Sequence, residues 1–333
     1  MGLRRAFILF IIIVSVGLIA LWRIRAQKPA FEEVYAAESR VAVWSSAAMV
    51  REQLGTMKFG DRADVLAHAG DWTQLRMGDG ATGWVESHDL LDSALWHQEH
   101  NLLAQAQTMP LQAQGHTKVL SNLRFQPGRD GVRIYQLGRD TPVDLFERRS
   151  ISESPNRAKE SGNPEAGAKS DDWWFVRARA KDAGELAGWI IGRFIELDLP
   201  APLPDYATAE GFRPAGWFEL NHVIDPVQGI KPQYLVIGTR GGQSEDCDFS
   251  LLRVYTWGIA RGRYETAYVE SNFCGHLPVR VAPGAQAGGD ASFHFACVNP
   301  RSKSEDDCAY RMHQTIIRKV KKEEQKGGEV KRR

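Results

Sequence analysis

Apolar and polar residues alternate along most of this chain in short runs, and the runs come in a doubled order. In the first copy Phe59-Gly60-Asp61 leads to Val65-Leu66, then to Asp71-Trp72-Thr73-Gln74-Leu75-Arg76, then to Gly83-Trp84-Val85. In the second, Leu137-Gly138-Arg139 leads to Val143-Asp144-Leu145, then to Asp172-Trp173-Trp174-Phe175-Val176-Arg177, then to Gly188-Trp189-Ile190-Ile191. Period-two alternation bounded by glycine reads as strands with one buried face, three per copy, with the late glycine turning the chain into a third strand headed by Trp. Three short strands per copy suit a small barrel. The second copy is stretched from Arg148 to Asp171 by polar, Pro- and Gly-bearing sequence with almost nothing to bury, which predicts a mobile surface loop.

Between the copies, Leu95, Leu102 and Leu103 fall near one face of a helix predicted over Asp92 to Met109 and stopped by Pro110. Leu199-Pro200-Ala201-Pro202-Leu203-Pro204 is a stiff connector. Beyond it, runs at 234–238, 249–257, 264–273, 278–281, 292–298 and 310–320 are rich in β-formers and predict an antiparallel meander. The expected fold is therefore mainly β. Its predicted parts are an N-terminal anchor (1–25), a linker (26–37), a first repeat (38–92), a helical linker (93–116), a second repeat (117–198, insertion 148–171), a connector (199–210), a C-terminal all-β domain (211–322) and a charged tail (323–333).

Internal repetition marks a module used twice, and such modules bind or space things more often than they catalyse. The Gly before an apolar pair, the Asp-Trp strand start and the late Gly-Trp resemble the bacterial SH3-like (SH3b) domain family, in two tandem copies over roughly 38–92 and 117–198. Asn122-Leu123-Arg124-Phe125-Gln126-Pro127-Gly128 is similar to that family's opening, while Val43-Trp44-Ser45-Ser46 departs from it. The resemblance implies two SH3-like barrels in the bacterial envelope that bind peptidoglycan or protein ligands. Trp84 and Trp189 are expected to pack into their barrels, with Trp72 and Trp173 half-buried. Trp174 has no counterpart in the first copy, where Thr73 stands, and alternation turns it away from Trp173; it is the candidate ligand-binding aromatic.

Ala6 to Trp22 is an uncharged apolar run of seventeen residues, which at about 1.5 Å each just spans hydrocarbon. Bulky Leu18, where a signal peptide needs a small residue, and the interfacial pair Trp22-Arg23 favour an uncleaved transmembrane helix over a cleaved leader. No Cys follows the run, as a lipoprotein would need. Basic residues flank both ends, so the positive-inside rule is nearly balanced, but four cysteines clustered in the last third of the chain suit an oxidising exterior. The expectation is a single-pass protein of the bacterial inner membrane with its bulk on the periplasmic side. A net charge of +1 argues against nucleic acid as a partner, and the basic tail is diluted by Glu323, Glu324 and Glu329.

If Trp257 pairs with Tyr264 across the clearest hairpin, the same register sets Val254 opposite Ala267, Leu252 opposite Val269 and Cys247 opposite Cys274. Cys297 and Cys308 bracket the polar turn 299–307. Disulfides Cys247–Cys274 and Cys297–Cys308 are the predicted pairing, one of three possible. A four-Cys zinc site would want ligands in close pairs, whereas no two cysteines are nearer than eleven positions. Neither Asp246-Cys247-Asp248, which runs into a strand, nor Cys274-Gly275-His276, whose base adjoins its nucleophile, suits a cysteine peptidase. No hydrolase, zincin or phosphate-loop motif is present, so neither a catalytic residue nor a cofactor is assigned. The expected role is non-catalytic binding or scaffolding. The alternatives are a cell-wall-targeted hydrolase seated in the C-terminal domain and an envelope sensor or assembly partner.

Overall fold

A computed structural model of the chain describes residues 32–152, 170–201, 203–207, 211–240, 247–298 and 304–320. The apolar run Ala6 to Trp22, the core of the polar insertion and the tail lie outside the described residues. Among those described, no helix is long and apolar enough to cross a membrane. The protein is mainly β, built on three antiparallel sheets, and it divides into a unit through Ala94 and a unit from Leu95.

The first unit contains β1 (Glu33–Ala36), β2 (Val41–Trp44), β3 (Gln53–Met57), β4 (Arg62–Ala69), β5 (Trp72–Met77), β6 (Thr82–Glu86) and β7 (Leu90–Asp92), ordered β3-β2-β6-β5-β4-β1-β7. Alternation sends Val41, Val43, Ala63, Val65, Leu75 and Val85 into one core with Val34, Ala36 and Met57. Strand β1 lies in the stretch read as linker, and its Val34 completes that core. Gly70, at φ +59, makes the tight β4–β5 hairpin that starts β5 at Trp72. The barrel expectation is corrected: short strands β3 and β7 finish the two edges, and no ladder joins them.

The second unit opens with α1 (Ser93–Thr108, its first two residues still in the first unit) and repeats the same sheet. It uses β8 (Ala113–Thr117), β9 (Ser121–Arg124), β10 (Arg133–Leu137), β11 (Pro142–Ser152), β12 (Ser170–Ala180), β13 (Gly184–Ile191) and β14 (Ile195–Leu197), ordered β10-β9-β13-β12-β11-β8-β14. Registers coincide as well. Gln74 pairs with Trp84 as Phe175 pairs with Trp189, and each first long strand carries an irregularity at the matching point, Leu66 or Phe146. The glycine of each Gly-Trp pair is not a turn residue but sits inside a strand. A Cβ at Gly83 would lie 2.3 Å from Val43 Cγ1, and one at Gly188 would lie 2.7 Å from the Arg124 carbonyl oxygen, so close approach of strands requires glycine.

The loop expectation at 148–171 is corrected at both ends, because β11 runs on to Ser152 and β12 starts at Ser170. These longer strands carry Arg148 to the third sheet. Arg148 Nη1 donates to the Cys247 carbonyl at 2.7 Å and its Nη2 pairs with Asp172, while Asp248 lies 3.4 Å from Nη1. Gln112 also bridges these sheets, accepting the Val279 N–H at 2.7 Å.

After α2 (Leu203–Ala207), the third sheet is a meander in chain order. Its strands are β15 (Phe212–Asp225), β16 (Gly229–Arg240), β17 (Phe249–Gly258), β18 (Arg263–Ala282), β19 (Ala291–Val298), β20 (Glu305–His313) and β21 (Ile316–Lys319). The segment 278–281 is the end of β18 rather than a separate strand, and the predicted strand 310–320 breaks at Gln314, whose φ is +55. Phe249, Phe273, Phe293, Phe295 and Tyr310 fill one face.

Both predicted disulfides are present. The straight register behind the first is not. Trp257 faces Tyr264 as expected, but Val254 faces Tyr268, Leu252 faces Glu270 and Phe249 faces Gly275, because two irregularities take up extra residues of β18. Cys247 reaches Cys274 from the segment just before β17, where the Asp248 N–H donates to the Gly275 carbonyl at 2.9 Å and holds the Cα atoms 5.0 Å apart. Cys297 and Cys308 lie diagonally across β19 and β20.

Candidate ligand-binding face

The alternation that buries Leu75 and Val85 turns Trp72, Gln74 and Trp84 to the other face of the first sheet, where Trp44 joins them by pairing with Trp84. All four side chains are half-buried. The β2–β3 loop closes through the Ser45 N–H to the Glu52 carbonyl at 2.9 Å and lays Arg51 across this face. Its guanidinium carbon sits 4.8 Å from the Trp44 ring centre and 4.4 Å from that of Trp72. Cation–π contacts at such exposed sites contribute about 0.5–1 kcal/mol each. In the same loop Met49 is 98% exposed and Val50 92%, whereas Leu54 turns to the Val43 side of the sheet, its Cδ1 3.7 Å from where a Cβ on Gly83 would lie.

The same face of the second sheet is closed. Trp173, Phe175 and Trp189 occupy the register positions of Trp72, Gln74 and Trp84, and all three are buried together with Phe146 and Ala187. The cover is α1, which packs Leu102, Leu103 and Ala106 on the aromatic surface, with Met109 just after it. Phe175 and Trp189 lie 5.4 Å apart between ring centres. Glu99 of α1 is buried with them and accepts the Ala187 N–H, with His100 Nδ1 3.1 Å from its carboxylate. Burial pushes that carboxyl above its ordinary range, against the pull of His100 and the Ala187 bond.

Trp174 does not belong to either face. It is only 7% exposed and continues the inward row of Val176 and Ala178 toward Arg148, its cross-strand partner. Its indole packs on Gly192, where an added Cβ would lie 3.0 Å from Trp174 Cδ1. Alternation does separate it from Trp173, as expected, but the side it turns to is the interior. The matching place in the first copy is Thr73, also buried and bonded to Ser87 Oγ at 2.8 Å. Trp84 and Trp189, expected inside barrels, lie on the outer faces instead, and Trp173 is buried by α1 rather than half-exposed.

The four cysteines are paired, so neither Cys247 nor Cys274 carries a free thiol. His276 Nε2 lies 3.7 Å from Cys274 Sγ, and its Nδ1 is 3.9 Å from Asp248. Burial raises the Asp248 carboxyl above its ordinary range, with the Leu277 N–H and Arg148 pulling the other way.

No family model matches the chain. No curated protein matches it either. Among solved structures, NlpC1 from Trichomonas vaginalis aligns at 10% identity and a TM-score of 0.17, covering 52% of this chain and 48% of that one. NlpC2 from the same organism aligns at 8% identity and a TM-score of 0.18, covering 89% of this chain and all of that one. Likenesses this remote carry no argument about function. Arg51, Met49, Val50 and Leu54 were not singled out from the sequence. The available signal was a bare Met-Val pair at the tip of a polar turn, beside a Trp that departs from the repeat pattern.

Proposed function

We propose that this chain is a non-catalytic binding or scaffolding protein of the bacterial envelope. In this reading Ala6 to Trp22 anchors it in the inner membrane, and two SH3-like repeats stand on the periplasmic side. The observation that carries the reading is the contrast between two sheets of identical strand order, one with its aromatic face filled from within the chain and the other with Trp44, Trp72 and Trp84 left half-open. A half-open aromatic face flanked by apolar residues is the kind of surface that recognises a ligand.

A photo-crosslinking residue placed at Thr82, exposed on the Trp84 side of β6, in the full chain, in its source cells, tests this. Adducts of one defined species are expected from position 82 and not from the exposed turn residue Lys181. Equal labelling at both positions, or none at 82, would remove the binding reading.

A further inference from the structure

We infer that the Trp44, Trp72 and Trp84 face of the first sheet seats an amphipathic α-helix of a partner protein, one that brings a carboxylate to Arg51. This rests on the binding reading above and narrows its ligand to a protein helix. The first support is internal to the chain. On the second sheet, the face with the same register is filled by a helix, through Leu102, Leu103 and Ala106, which fall along one stripe of α1, with Met109 just past its end. The first sheet offers the same strand order and the same spacing of Trp72 and Trp84, so it presents a helix with the same seat.

The second support is charge. Among the described residues Arg51 has aromatic and backbone contacts but no carboxylate partner. In the corresponding loop of the second copy, Arg129 is held by Asp171 at 2.9 Å. A guanidinium fixed between two indoles and lacking an anion is complementary to an acidic side chain that arrives with the ligand. The third support is the adjoining loop, where Met49 and Val50, next to Arg51 in sequence, are 98% and 92% exposed. Gln74 stands where the second copy has Phe175, and Thr82 where it has Ala187, so the open face is more polar. That composition suits a partner that docks and leaves rather than a helix built into the fold.

The probe is a fluorescein-labelled peptide copying Ser93–Thr108 with Gln105→Glu, titrated by anisotropy into the full chain in detergent micelles. Saturable binding is expected, weakened about 10-fold or more by Thr82→Glu and by Arg51→Glu. Thr82 is exposed, so its variant keeps the fold, which circular dichroism checks. Leu120→Glu, on the exposed surface of the second copy, is expected to bind within about 2-fold of the parent. Peptide that fails to bind, or that binds Thr82→Glu as well as the parent, overturns the helix proposal. Co-sedimentation with peptidoglycan sacculi separates the two levels. Sacculi binding that Thr82→Glu abolishes, without peptide binding, would assign the face to glycan and keep the binding reading, whereas failure of both probes would remove both.

Discussion

Replacing Arg148 by Met probes how the second sheet is fastened to the third. The guanidinium is buried, with its side chain 2% exposed, and it faces two carboxylates, Asp172 and Asp248, each 16% exposed. Methionine fills similar volume but leaves both carboxylates without their cation. Removing one partner of a buried ion pair costs about 3–5 kcal/mol. Some water reaches both acids, so the lower end applies, and about 3 kcal/mol corresponds to a roughly 150-fold change in the folding equilibrium. The loss should also depend on pH. Burial already holds the Asp248 carboxyl above its ordinary range while Arg148 pulls it down, so removing Arg148 lets it rise further. A folded-state pKa above the unfolded one means that the folded chain keeps the proton at low pH and loses stability as pH climbs through the interval between them. The assay is urea denaturation followed by Trp fluorescence at about pH 7 and about pH 4.5. A large deficit at the higher pH that shrinks at the lower one is expected. A deficit below about 1 kcal/mol, or one equal at both pH values, would refute the argument that Arg148 neutralises buried acids.

Other perturbations follow from the same geometry. Glu99→Gln removes a charge whose burial raises its pKa and keeps an acceptor for the Ala187 N–H; the variant should melt higher than the parent near neutral pH, and the gain should fade as the solution is acidified through the carboxyl's titration. Gly83→Ala and Gly188→Ala drive a methyl into Val43 and into the Arg124 carbonyl, and each should cost about 1–3 kcal/mol by denaturant titration, whereas Gly78→Ala, with open space around it, should cost far less. The disulfides close loops with sequence separations of 27 and 11, so the loop-entropy term makes the Cys247→Ser/Cys274→Ser pair costlier than the Cys297→Ser/Cys308→Ser pair by about 0.8 kcal/mol; equal losses would tell against that account.

What could be read from the chain tracks how local its physical cause is. Alternation, the α1 helix, the meander and both cysteine pairings are set by neighbours in sequence or by a single hairpin, and all are present. The register beneath Cys247–Cys274 was not legible, because the irregularities of β18, including Asn272 at φ +65, leave no period-two signature. Trp174 was misplaced for a related reason: alternation separates it correctly from Trp173, but which side is interior depends on α1 covering the other, a contact made across the chain. Likewise the glycines of Gly83-Trp84 and Gly188-Trp189 look like turn formers until the approach of Val43 and Arg124 is known. The half-open aromatic face was invisible as a unit, since Trp44, Arg51, Trp72 and Trp84 meet only when β2, β5 and β6 align.

The fastening at Arg148 also orders events in time. Asp172 follows it by 24 residues, but the Cys247 carbonyl lies 99 residues further along and the Gln112–Val279 bridge spans 167. At ribosomal speeds of about 5–20 residues per second, the nearer acid emerges in seconds, and the second anchor roughly 5–20 s after Arg148 itself. The second sheet can therefore close while one side of a cation still faces water. The meander must then arrive and dehydrate it, so docking of the two sheets is a late, long-loop step of assembly rather than part of the nucleus of either.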